Sequence, residues 1–426
     1  MKFYSLTDHN HKVDFQDALI NGLAPDGGLY FPEEIPTFST EELNDLKGNN
    51  LNQVAFKVLQ KWVQDSIPAE ELAVLVDKAQ AFPIEIKKVD GYQVLELFHG
   101  PTLSFKDVAA SYLAQLMQYF LTKSQKHVKL LVATSGDTGG AIAHGFANLE
   151  NVDVYVLFPK GKVSKLQEAQ LTRVAENVNP IIVDGFFDDC QSIVKQAFVD
   201  PDLKELNLTS ANSISIGRLL PQIIYYAYTY ASLQDNNLEF IIPSGNFGNF
   251  TAGLLAWKMG IPISNFIAAT NRNDSVLKYY QTGVYDSQET IQTLSNAMDV
   301  GAPSNFQRVL EIFNHDHSAF KKMVKVMKVN DDETIEAIQQ VYSEHNYLID
   351  PHTAVAWYCA QELANKDLTD VIISTASPVK FSGEMKMATH IEVDDSHAMS
   401  RLEEFDMKGV EIPNQYKAFK DILLDK

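Results

Sequence analysis

Residues 128–140 read V-K-L-L-V-A-T-S-G-D-T-G-G. The first six are an almost continuous apolar, β-branched-rich run. The loop after them, Thr134 to Gly140, holds three glycines and three hydroxyl residues, and an Ala-rich helical period follows. A short greasy run, a small-residue loop and then a helix predicts a strand buried on both faces that feeds a helix N-terminus. The unit recurs outward along the chain. V-D-V-Y-V-L-F-P (152–159) precedes G-K and S-K-L-Q-E-A-Q-L-T-R-V, and P-I-I-V-D-G (180–185) precedes D-D-C-Q-S-I-V-K-Q-A-F. L-E-F-I-I-P (238–243) runs into S-G-N-F-G-N and T-A-G-L-L-A-W-K-M-G, and D-V-I-I-S-T-A (370–376) arrives after two long helical stretches. Strands that alternate with helices in this way predict an α/β fold built on mostly parallel sheet.

The beginning of the chain differs. T-F-S-T-E-E-L-N-D-L and L-N-Q-V-A-F-K-V-L-Q-K-W-V read as helices, with a D-G-G turn at 26–28. A small helical N-terminal domain over 1–82, ending near A-F-P, is expected, with an α/β region over 83–426. The 426-residue length calls for about two or three domains. Polar helices between about 285 and 350 suggest an added or substrate-covering segment.

The net charge of -20, from 35 basic and 55 acidic residues, disfavours nucleic acid and anionic membranes as partners. The greasiest stretch, 219–233, is too short and too polar to span a bilayer, and the N-terminus lacks the apolar core of a secretory signal. Cys190 and Cys359 stand far apart without a CxxC or ligand cluster, which suits two free thiols in a reducing compartment. A cytoplasmic protein is expected. The assembly is read as a monomer or homodimer. His315, His317, His345 and His352 lack metal-ligand spacing, so no metal is expected.

In open parallel sheets, ligands bind where strand ends feed helix N-termini. Two loops qualify. Thr134, Ser135, Gly136, Asp137 and Thr138 present backbone N–H groups and short donors suited to a carboxylate or phosphate, though a plain capped turn reads similarly. G-D-T-G-G resembles a serine-protease nucleophile loop, but Thr138 stands at the serine position and the loop opens a helix. Ser244-Gly245-Asn246-Phe247-Gly248-Asn249 matches neither the P-loop nor the dinucleotide fingerprint. It holds no lysine, which suits a resident phosphate held by amides better than a triphosphate with Mg²⁺.

E-L-F-H-G-P-T-L-S-F-K-D-V (96–108) poses a separate problem. Lys106 opens a helix, where the dipole favours anions, and Phe98, Leu103 and Phe105 surround it with apolar matter. Both effects depress an amine's pKa and leave a nucleophile able to form Schiff bases. Val108, Tyr112, Leu113, Leu116, Met117 and Phe120 form the stripe that would anchor the helix. The alternative is a surface lysine paired with Asp107. A Schiff-base lysine, a Gly/Asn phosphate loop and no nucleotide motif together suggest pyridoxal phosphate.

At this point H-G-P-T-L-S-F-K-D, A-T-S-G-D-T-G, S-A-N-S-I-S-I-G-R, P-S-G-N-F-G-N, S-N-A-M-D-V and the early D-G-G-L-Y-F-P resemble, in that order, threonine synthases of the bacterial and fungal type. The resemblance covers nearly the whole chain. It implies the fold-type II (tryptophan synthase β-like) architecture: two open, mostly parallel sheets flanked by helices, with a smaller mobile subdomain at about 100–215 and a larger one from the remainder. It implies that Lys106 carries the cofactor and then moves protons, that Gly245, Asn246, Phe247, Gly248 and Asn249 cradle its phosphate, and that Thr375 faces the pyridine nitrogen. A neutral partner there makes a weaker electron sink than an aspartate would. Thr134, Ser135, Gly136, Asp137 and Thr138 are implied at the substrate carboxylate, with Asp137 expected to face elsewhere or to shape the loop. Arg218, assisted by Asn212 and Ser213 and more weakly by Lys162, is the candidate for the substrate phosphate, because a guanidinium fork matches that geometry. The implied reaction converts O-phospho-L-homoserine and water to L-threonine and phosphate. Another fold-type II lyase, such as a serine/threonine dehydratase or phospho-lyase, and a non-catalytic binding protein on the same fold are the alternatives.

Overall fold

The computed structural model describes residues 1–425. Each of the five apolar runs forms a strand: Val128–Ala133, Val152–Pro159, Val178–Asp184, Leu238–Pro243 and Thr369–Ser374. They divide between two sheets. The larger has six strands in the order Val324–Lys328, Ile263–Thr270, Leu238–Pro243, Thr369–Ser374, Tyr92–Glu96 and Glu85–Val89; only the last pair is antiparallel. The smaller has five parallel strands in the order Val410–Pro413, Val178–Asp184, Val152–Pro159, Val128–Ala133 and Leu208–Ser210. Every residue of Val128–Ala133 and of Leu238–Pro243 is buried, as strands covered on both faces require.

The N-terminal part contains the two expected helices, Thr40–Leu46 and Leu51–Val63, and a further one at Ala69–Ala79. It also contains an antiparallel sheet of Lys2–Ser5, Lys12–Asp14 and Tyr30–Pro32, whose strands are too short to leave a period in the sequence. A buried guanidinium joins this part to the rest. Arg308 donates to the carbonyls of Tyr30 (3.1 and 2.8 Å) and Ile214 (2.8 Å) and to Asn305 Oδ1 (2.7 Å). D-G-G-L-Y-F-P is thereby tied to S-I-S-I-G-R.

The polar stretch around 285–350 serves two ends. Helix Asp331–His345 packs on helix Pro351–Leu363, which covers the larger sheet. The turn Asn296–Met298 lies instead over the Gly245 loop. Cys190 and Cys359 are buried and form no disulfide.

Candidate active site

Strands Leu238–Pro243, Thr369–Ser374 and Tyr92–Glu96 are parallel neighbours, so their carboxyl ends emerge side by side. From the first comes Ser244–Asn249, from the second Thr375, and from the third the loop that ends at Lys106. Strand spacing puts the outer two about 10 Å apart. That separation suits one end of a substituted pyridine reaching an amine while its phosphate ester rests among amides.

Lys106 is the first residue of helix Lys106–Ser124. The preceding loop is laced to the end of the middle strand: Leu97 N–H donates to Ser374 O (3.0 Å), Phe105 N–H to Thr375 O (2.8 Å), and Ser377 N–H to Leu103 O (3.0 Å). Leu103 adopts a left-handed φ of 59°, and the strain is held by those bonds. Asp107 turns back into the loop, accepting the Thr102 N–H at 2.8 Å, and a Cβ on Gly100 would meet its carboxylate at 2.5 Å. The reading of Lys106 as a surface partner of Asp107 therefore fails. The lysine side chain is 14% exposed, and burial lowers its pKa.

Its partner is Asp137, whose Oδ2 lies 3.1 Å from Lys106 Nζ. The expectation that Asp137 turns away is corrected here, while a part in shaping the loop stands beside this contact. Gln167 Nε2 donates to Asp137 Oδ1 at 3.0 Å, and Lys380 Nζ reaches the same oxygen at 2.7 Å. Burial alone would raise the Asp137 pKa, but the Lys106 and Lys380 charges hold it well below the usual carboxylate range. Sequence reasoning missed Lys380, a fully buried cation. Its one signal was position, five residues beyond Thr375 in S-T-A-S-P-V-K.

In the Gly/Asn loop, the amides of Gly245, Asn246, Phe247, Gly248 and Asn249 have no acceptor among the described residues. Phe247 holds a left-handed φ of 58° and opens helix Gly248–Lys258, which turns successive N–H groups to one side. A Cβ on Gly245 would stand 2.6 Å from Met298 Cα, so only glycine fits beneath S-N-A-M-D-V. Asp299 secures that segment by accepting from Asn271 Nδ2 (2.9 Å) and Thr293 Oγ1 (2.7 Å). The Asn249 side-chain oxygen accepts from Tyr225 and Tyr226 (2.6 Å each), while its Nδ2 is buried without a partner and its backbone N–H has no acceptor among the described residues. Asn246 spans two segments, donating to Ser213 Oγ and accepting from Ser304 N–H at 2.6 Å each. The hydroxyl of Thr375 is nearly buried and has no hydrogen bond among the described residues.

The smaller sheet contributes the facing loops, again from neighbouring strands: Thr134–Thr138 follows Val128–Ala133, and Asn212–Arg218 follows Leu208–Ser210. Thr134 Oγ1 is engaged by Gly136 N–H (3.0 Å) and Gly139 N–H (2.9 Å), which leaves the amides of Ser135, Asp137 and Thr138 unbonded among the described residues. Arg218 is 3% exposed. One guanidinium nitrogen donates to Ala211 O at 2.9 Å, Nε is buried without a partner, and burial pushes its pKa down to about 10. Lys162, the weaker candidate, is exposed and lies over the Phe186 ring. Lys380 and Arg218 bring positive charge, beside the Asp137 carboxylate, into the interior of a protein of net charge -20. Unbonded amides, an unpartnered guanidinium nitrogen, a free buried hydroxyl and a depressed amine fit a phosphorylated aldehyde cofactor beside an anionic substrate.

Comparison with known proteins agrees. A family model described as pyridoxal-phosphate dependent enzyme matches residues 85–374, and one described as threonine synthase N terminus matches residues 2–80. Threonine synthase from Escherichia coli (strain K12) is 39% identical over 430 residues, covering 100% of both chains. The crystal structure of a PLP-bound threonine synthase from Brucella melitensis superposes with a TM-score of 0.94 at 34% identity, covering 99% of this chain and 98% of that one. The structure of threonine synthase from yeast gives 0.91 at 30% identity, covering 100% and 98%.

Proposed function

This chain belongs to the threonine synthase family of pyridoxal-phosphate dependent enzymes, and from that premise we propose how its residues divide the work. The reaction converts O-phospho-L-homoserine and water to L-threonine and phosphate. The observation that carries the assignment of roles is the emergence of the five unbonded amides, Thr375 and Lys106 from three adjacent parallel strands.

Lys106 is the amine that would hold the cofactor through its aldehyde. The amides of Gly245 to Asn249 would hold the cofactor phosphate, and the Thr375 hydroxyl would serve its ring nitrogen. When bound, pyridoxal phosphate supplies an electron sink for negative charge developing on the substrate's carbon chain. Lys106 Nζ would take the α-proton of the substrate and return protons as phosphate leaves the γ-carbon and water adds at the β-carbon. The unbonded amides of Ser135 and Thr138, beside Gly136 and the capping Thr134, receive the substrate carboxylate. Arg218, with Asn212 and Ser213, receives its phosphate, and the unpartnered Nε supports that role.

The division at residue 82 and the movement of a 100–215 subdomain over the substrate belong to the same proposal, supported by the site's position where loops of both sheets meet. So does a cytoplasmic setting, supported by the two cysteines free of a disulfide. No helix among the described residues is long and apolar enough to cross a membrane. The test supplies O-phospho-L-homoserine, and separately L-threonine and L-serine, and measures phosphate, threonine and keto acid. Equal release of phosphate and threonine is expected. Keto acid alone would assign a dehydratase, and no turnover with no bound cofactor would leave a binding protein.

A further inference from the structure

An aspartate at the mouth of a loop that receives carboxylates is electrostatically awkward, and the structure shows what offsets it. Lys380 lies in the short turn Pro378–Phe381, just past Thr375, and its side chain is completely buried. Its Nζ contacts Asp137 Oδ1 at 2.7 Å and donates to Thr102 O at 2.7 Å and to Gln170 Oε1 at 3.4 Å. Gln170 Nε2 donates to Thr102 O as well, at 3.2 Å. One cation thus joins the Lys106 loop, the Asp137 loop and helix Lys165–Thr172.

The carboxylate has one charge and two cationic neighbours. Oδ1 is engaged by Lys380 and Gln167, so only Oδ2 is directed at Lys106. Were Lys380 absent, the full charge of Asp137 would act on the one remaining amine in a weakly screened interior and fix it as an ammonium. That form cannot bond to an aldehyde. Capture requires the neutral nitrogen to add to the carbonyl carbon; the nitrogen then loses its two hydrogens with the carbonyl oxygen as one water, and a C=N bond remains.

We propose that Lys380 is a positioning residue for Lys106: by pairing with Asp137 it leaves too little free negative charge to hold Lys106 as an ammonium, and it fixes the carboxylate as the strut that aims the amine at the cofactor. The proposal rests on the family reading of Lys106 and makes Asp137 and Lys380 a single device. Other groups bearing on Lys106 are Arg218, whose charge also opposes a second cation there, and the Phe105 ring, 5.1 Å from Nζ.

The experiment follows capture of pyridoxal phosphate by cofactor-free protein as a function of pH, read by absorbance, with thermal unfolding of the same samples and phosphate release from O-phospho-L-homoserine. Lys380→Met is expected to move the capture midpoint alkaline by about 1 pH unit, and Asp137→Asn to move it acid. Asp137→Asn/Lys380→Met, which leaves no unpaired buried ion of the pair, returns it to or below the original value. That order is the signature. A purely structural Lys380 lowers the unfolding temperature in the single variants and leaves every midpoint in place, which overturns the proposal. If Lys380→Met does not fold, the midpoints of Asp137→Asn and the double variant decide alone: both unchanged overturns it. If the unsubstituted protein captures no cofactor, the family reading of Lys106 fails; if it captures cofactor and the midpoints do not move, only the Lys380 role fails.

Discussion

His352 Nδ1 lies 2.6 Å from Asp350 Oδ2, which holds the proton on Nδ1 and leaves Nε2 to accept the N–H of Ala297 at 3.1 Å. Ala297 precedes Met298, the residue pressed on Gly245. Asp350 also accepts from Thr353 Oγ1, which contacts Ser374 Oγ at 2.9 Å, next to Thr375. One buried carboxylate therefore braces the cover of the phosphate loop and the strand end that carries Thr375. His352→Ala removes the acceptor of the Ala297 N–H and the imidazole partner of the buried Asp350 carboxylate. The loss of a buried partner, about 1–3 kcal/mol, corresponds to roughly tenfold weaker pyridoxal phosphate binding, measured by fluorescence titration. Unchanged affinity would remove His352 from any part in shaping the site.

Arg218→Lys keeps the charge and loses the fork. If the guanidinium grips the substrate phosphate, KM for O-phospho-L-homoserine rises about 10–100-fold while cofactor affinity stays within about twofold. Steady-state phosphate release gives the first number and equilibrium titration the second. Weakened cofactor binding with KM preserved would move Arg218 to the other side of the pocket.

Gly245→Ala places a methyl where Met298 Cα stands at 2.6 Å and Ala297 O at 3.2 Å. The obstacle is backbone, so trimming the neighbour in Gly245→Ala/Met298→Ala brings no rescue. Displacing a packed segment costs about 1–3 kcal/mol, which predicts cofactor binding weakened about tenfold in both variants. Recovery in the double variant would show that the side chain, not the main chain, sets the fit.

The strands were legible because burial on both faces leaves unbroken apolar runs, and 128–133 and 238–243 are buried throughout. Lys106 was legible because a lysine in a first helical turn among aromatics contradicts local electrostatics. Lys380 was not, because its meaning lies in a carboxylate 243 residues earlier in the chain, at Asp137. The same holds for the direction of Asp137 itself: a sequence gives the loop its charge but not the second cation that makes the charge tolerable. The three N-terminal strands, of three or four residues each, fall below any periodic window, and what pairs them is packing.

At the opposite, amino-terminal end of the larger sheet, two carboxylates share an interior site. Glu239 is fully buried and accepts from Lys325 (3.2 Å) and Asn365 N–H (2.9 Å), while Asp370 on the adjacent strand has a buried oxygen with no partner among the described residues. Burial first, and then the Glu239 charge, push the Asp370 pKa from 3.8 up to about 7. The folded protein therefore holds a proton that the unfolded chain has released, and stability falls as pH rises from about 4 to 7 and then levels. Asp370→Asn removes the titration while keeping a donor for Glu239. Its unfolding temperature is expected to match the unsubstituted protein near pH 4 and to exceed it by about 1–3 °C at pH 8, both read by calorimetry. A difference of the same size at both pH values would show that packing, not the shared proton, separates the two proteins.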